Sequence, residues 1–70
     1  MKVYEIEFHY GRNTYEFLSA LDLKVGSTYR ITNDLGQTYK SRALVVAERA
    51  VSAYSGTMRE IVDAVEETPW

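Results

Sequence analysis

The sequence YEIEFHY, residues 4–10, indicates the fold class of this 70-residue chain. Its aromatic and aliphatic residues alternate with glutamates and a histidine, and a period of two residues is typical of a strand that buries one face. Gly11 begins a short turn, and the same alternation resumes over residues 14–19. The two stretches together predict an amino-terminal β-hairpin.

The middle of the chain predicts a second hairpin after a connector at residues 20–26. Residues 27–33 place Tyr29 and Ile31 on one face, and their β-branched and aromatic content favours a strand. Residues 33–36 have the composition of a turn. The strand expected next spans residues 37–47, with Tyr39, Ser41, Ala43 and Val45 facing one way.

The last third of the sequence is compatible with two structures. Alanines and larger apolar residues from Ala43 to Val65 fall at helical spacing, and residues 57–60 have the form of a capping box. The same stretch contains Ile61, Val62 and Val65, which suit a closing strand after a turn at Gly56. Periodicity alone does not decide between a covering helix and a fifth strand in so short a stretch.

Composition excludes several classes of site. The chain has no cysteine and one histidine, which excludes thiolate nucleophiles, cysteine zinc sites and metal sites that need two histidines. His9 lies on the polar face of the first strand, where alternation alone explains it. Nothing approaches the roughly 18 apolar residues of a membrane span, and no signal segment begins the chain. We expect a small soluble intracellular protein that is not an enzyme and has no cofactor, metal or deep pocket.

Several short stretches of the sequence, including the connector at residues 20–26, resemble those of known proteins. The matching positions are Tyr15, Phe17, residues 22–26, Gly36, residues 45–48, Tyr54, Gly56, Ile61, Val62 and Val65. This pattern resembles a group of very small proteins encoded by tailed phages and prophages, which carry no catalytic motif. The resemblance implies a compact SH3-like or OB-like barrel, and a location in the cytoplasm of an infected or lysogenic bacterial host.

The resemblance therefore favours a strand at the end of the chain. We predict a single all-β domain over residues 1–67, a small five-stranded SH3-like or OB-like barrel, followed by a frayed tail at residues 68–70. The alternative is an α+β fold, in which a four-stranded antiparallel sheet is covered by a carboxy-terminal helix over residues 43–67.

The charge of the chain is uneven along its length. The net charge is −2, yet eight basic and six acidic side chains precede residue 60, and residues 60–70 add four acidic ones. The central hairpin combines arginines and a lysine with two tyrosines, the groups with which a small barrel holds single-stranded nucleic acid. The net negative charge disfavours that alternative, because phosphate binding depends on an excess of cations.

Protein–protein interaction is the preferred function. Six tyrosines exceed the needs of one small core, and exposed aromatics concentrate in interfaces. The predicted contact face comprises Tyr10, Arg12, Arg30, Tyr39, Lys40 and Arg42, and an acidic alternative face comprises Glu60, Asp63, Glu66 and Glu67. The expected partner is a host or phage protein, such as a nucleic-acid-handling or defence protein whose basic groove the chain blocks. Self-association as a structural or accessory homo-oligomer is the remaining alternative.

Overall fold

The computed structural model describes residues 1–8, 13–50 and 58–67. Its strands are β1 (Lys2–Phe8), β2 (Thr14–Ser19), β3 (Thr28–Asn33), β4 (Ala43–Arg49) and β5 (Glu60–Glu67). They form a closed barrel in the order β1-β2-β5-β3-β4, which confirms the predicted small five-stranded all-β barrel. The α+β alternative with a helix over residues 43–67 is wrong, because β4 and β5 are strands; residues 51–57 within that range lie outside the described residues.

Antiparallel pairing dominates the barrel. β1 pairs with β2 from Lys2–Ser19 to Glu7–Thr14, so the predicted amino-terminal hairpin is confirmed. β1 pairs on its other side with β4, and β3 pairs with β5 along nearly its whole length. β2 and β5 run parallel and pair at Leu18–Glu60 and Ser19–Ile61. The barrel is therefore least extensively paired at two junctions, β2–β5 and β3–β4, each with two paired positions among the described residues.

The second hairpin is shorter than its sequence predicts. β3 pairs with β4 at Thr28–Leu44 and Tyr29–Ala43, and a single bridge joins Thr32 to Thr38. β4 begins at Ala43 instead of residue 37, because residues 40–42 leave the β3 ladder before the chain rejoins it.

The alternating apolar residues fill the barrel. The buried cluster comprises Tyr4, Ile6, Phe8, Phe17, Leu23, Tyr29, Ile31, Ala43, Val45 and Ile61. The ring of Phe8 contacts Phe17 edge-on at a centroid distance of 6.2 Å and lies 5.0 Å from Tyr39. Tyr15 lies on the same face as Phe17, opposite Ile6 and 5.9 Å from the ring of Phe8, but it is 48% exposed. The interior of such a small barrel is filled by side chains.

A bulge in β5 sets which of its residues face the core. Asn33 pairs with Ile61 and Thr32 pairs with Asp63, so Val62 is an extra residue between two paired ones. Regular alternation from Ile61 would turn Asp63 inward. The bulge instead brings Ala64 opposite the buried Ile31, which keeps a carboxylate out of the core.

Candidate protein-contact surface

Two arginines of the predicted basic face converge on a carboxylate of the predicted acidic face. The Nε atom of Arg30 lies 3.3 Å from Oε1 of Glu67, and the Nε atom of Arg42 lies 3.6 Å from the same oxygen. Arg30 also donates through Nη1 to the carbonyl oxygens of Tyr39, at 3.1 Å, and of Lys40. The two candidate faces therefore meet at Glu67, whose single negative charge offsets part of the positive charge of the two arginines.

Tyr39 belongs mainly to the core. Its ring is half-buried and lies 5.0 Å from Phe8 and 5.8 Å from Phe17, and its hydroxyl accepts a hydrogen bond from Asn33. Lys40 is exposed and forms no ion pair among the described residues. Tyr10 and Arg12, the other predicted members of the basic face, lie outside the described residues.

The remaining cations of the described chain are also mostly paired. Arg49 lies 3.3 Å from Glu5 and 3.5 Å from Glu16, which ties β4 across β1 to β2. Lys2 donates a 3.0 Å hydrogen bond to Asp22. That bond and the charge of Asp22 raise the pKa of Lys2 above its usual value, with a smaller contribution from Glu48. Positive charge on this part of the barrel is therefore matched locally by carboxylates.

The exposed residues of β5, by contrast, include apolar side chains and carboxylates without a cationic partner in the described part of the chain. Val62 is 49% exposed and Val65 is 57% exposed, and Asp63 and Glu66, their neighbours in sequence, are exposed as well; Glu66 pairs with Tyr29, near the end of the strand. Within the described residues, Asp63 and Glu66 form no ion pair, and neither does Glu60 at the start of the strand. β5 thus combines accessible apolar side chains with uncompensated negative charge.

Part of β5 has a backbone edge without a strand partner among the described residues. Beyond Ile61, its only strand partner in the described part of the chain is β3. In an antiparallel ladder the residues point their N–H and C=O groups alternately to one edge and the other. About half of the backbone groups of residues 62–67 therefore face away from β3. An edge of this kind is a template for another extended chain.

The sequence pattern predicted the carboxylates of β5 as a contact face, namely Glu60, Asp63, Glu66 and Glu67, but it did not predict Val62 and Val65 as part of that face. The missed indication is the spacing of Ile61, Asp63 and Val65, which a regular strand would put on one face. A buried carboxylate at Asp63 would be costly, so a bulge could have been inferred. The bulge is what turns Asp63 outward and leaves Val65 beside Arg30.

Comparison with known proteins adds no homologue: no family model, no curated protein and no solved structure matches this chain. Among the described residues, no group of three His, Asp or Glu side chains could hold a metal ion. No helix in that part of the chain is long and apolar enough to cross a membrane. The surface of β5 is therefore the feature from which a function can be argued.

Proposed function

We propose that this chain is a small protein-binding module that acts through the outward side of β5. The observation that supports the proposal is the exposure of Val62 and Val65 beside the unpaired carboxylates of Asp63 and Glu66. Full burial of a valine side chain in an interface contributes about 1.5–3 kcal/mol. The two valines therefore supply affinity, and the carboxylates favour a partner with a basic surface and speed its encounter.

The same charges argue against nucleic acid as the partner. Phosphate groups would be repelled by β5, and Arg30 and Arg42 already contact Glu67. A basic groove on a nucleic-acid-handling or defence protein has the complementary charge, which supports the role of an inhibitor that occupies such a groove. The SH3-like or OB-like description and the phage-type setting in a bacterial cytoplasm rest on the sequence resemblance.

Affinity capture with matched surface variants tests the proposal. The tagged full chain is incubated with bacterial lysate beside V62S/V65S, which changes β5, and V25S/L35S, which changes exposed side chains in two turns. We expect one partner to be retained by the wild type and by V25S/L35S and to be lost from V62S/V65S. Circular dichroism and urea unfolding verify that both variants fold.

Two results would contradict the proposal. One is recovery of the bait alone under gentle washing. The other is a partner that V62S/V65S retains as well as the wild type does, since that partner would bind elsewhere on the chain.

A further inference from the structure

The edge of β5 at residues 62–67, which has no strand partner in the described part of the chain, indicates how a partner binds, if the proposed function holds. We infer that the partner contributes an extended segment that adds to β5 as a further strand, on the side opposite β3. Backbone groups of residues 62–67 on that side have no strand partner in the described part of the chain. An added strand would satisfy them, which is the source of affinity when a peptide joins a sheet edge.

Charge determines what kind of segment fits this edge. Asp63 and Glu66, which lie beyond the part of β5 paired with β2, form no ion pair among the described residues, so an added strand with lysine or arginine side chains gains cross-strand attraction. A second copy of the chain, joined edge to edge, would instead set these carboxylates against carboxylates. Like charges opposite each other destabilise a strand pair, and this excludes self-pairing as the favoured occupant.

The side chains along β5 define the pattern of the segment. Asp63 and Val65 face outward beside Thr32 and Arg30 of β3, whereas Ala64 faces the core beside Ile31. A neighbouring strand aligns its own alternating side chains with these two faces. The expected occupant therefore alternates basic and β-branched residues. The carboxylates also have a protective effect, because charges on an edge strand discourage unspecific pairing.

A synthetic peptide with two patterns of N-methylation tests strand addition. The probe alternates lysine and valine over eight residues, the length of β5. Two further versions are methylated at every second backbone nitrogen. One version carries the methyl groups on the lysine residues and the other on the valine residues. A strand on a sheet edge directs only alternate N–H groups toward its neighbour. Therefore only one of the two methylated versions loses its N–H donors to β5.

Binding to the full-length chain is followed by NMR. We expect the amide signals of residues 62–67 to shift and gain protection from hydrogen exchange, and one methylated version to bind at least about tenfold more weakly than the other. V62S/V65S should lose binding of the unmethylated peptide, whereas V25S/L35S should retain it. Equal binding of the two methylated versions, weak or strong, would overturn strand addition, and so would shifts confined to other strands.

The peptide and the capture experiment separate the two proposals. If no version of the peptide binds β5 while capture still depends on Val62 and Val65, strand addition is wrong and the protein-binding function stands. If capture also shows no dependence on these valines, both proposals fail.

Discussion

The side-chain amide of Asn33 donates a 3.1 Å hydrogen bond to the hydroxyl of Tyr39. Asn33 is 1% exposed, and its Oδ1 atom accepts hydrogen bonds from the backbone amides of Leu35 and Gln37. Its Nδ2 atom donates to Oε1 of Gln37 as well. One buried side chain thus organises the turn after β3 and also fixes the aromatic ring that packs on Phe8.

Replacing Asn33 should destabilise the whole barrel. Asn33→Ala removes the acceptor for two backbone amides and the donor for Tyr39, and we expect the free energy of unfolding to fall by about 2 kcal/mol. Urea unfolding followed by circular dichroism measures the change. Leu35→Ser, in the same turn at a side chain that is 63% exposed, is the control and should change stability by less than about 0.5 kcal/mol. Similar losses in the two variants would contradict the role assigned to Asn33.

The hydroxyl of Tyr4 holds the connector between β2 and β3 against the barrel. It donates to the carbonyl oxygen of Leu21 at 2.8 Å and accepts from the amide of Leu23 at 3.0 Å. Tyr4→Phe keeps the ring in the core but leaves both groups without this partner, so we expect a loss of about 1–3 kcal/mol. The matched control is Tyr15→Phe, because that ring is half exposed. A stability equal to that of the control would show that the connector does not depend on this hydroxyl.

Alternation was sufficient to predict where most strands lie. Each strand buries one face, so the residue pattern of β1, β2 and β3 reports their position directly. The predicted and observed bounds of β2 agree at Thr14–Ser19. The fifth strand was ambiguous because the spacing of Ile61, Val62 and Val65 suits both a helix and a strand over so few residues. Which of its residues face the core depends on the bulge in its pairing with β3, and the one indication of that bulge in the sequence is Asp63 between Ile61 and Val65.

The candidate site was less predictable than the fold, since it depends on contacts between distant residues. Periodicity does not reveal that β5 lies between β2 and β3, and only this placement brings Glu67 to Arg30 and Arg42. The sequence therefore suggested separate basic and acidic faces, whereas Glu67 joins the two. Within the described residues, the acidic residues of β5 that form no ion pair are only Asp63, Glu66 and Glu60. The exposure of Val62 and Val65 likewise follows from the bulge and the short contact between β2 and β5.

The raised pKa of Lys2 predicts a pH dependence of stability. The Nζ atom lies 3.0 Å from Asp22 and 3.6 Å from Glu48, and the hydrogen bond to Asp22 is the largest cause of the shift. Because folding raises this pKa, the stabilising effect is fully present below the usual lysine pKa of about 10.4 and is lost as the pH rises through the higher folded value.

Comparison of Lys2→Gln with the wild type over alkaline pH isolates that effect. The stability difference should be largest near neutral pH, shrink above about pH 10, and become smaller in high salt because the pair is exposed. The control is Lys40→Gln, which removes the same charge from an exposed side chain without an ion pair among the described residues. The difference in unfolding free energy between this variant and the wild type should not change over the same pH range. A Lys2→Gln difference that does not vary with pH would refute the prediction.

The contact of Glu67 with Arg30 and Arg42 predicts how the chain responds to single-stranded DNA. Glu67→Gln removes the carboxylate that Arg30 and Arg42 share, whereas Glu66→Gln makes the same change of net charge at an exposed residue without an ion pair in the described chain. Fluorescence titration with a labelled oligonucleotide at low salt should show weak binding by the wild type and an increase of about three- to tenfold for Glu67→Gln. The increase should disappear at moderate salt, because the freed arginines act through phosphate contacts. An equal gain in the two variants would mean that net charge alone limits binding. Strong binding by the wild type would show that Glu67 does not keep its arginines from phosphate groups.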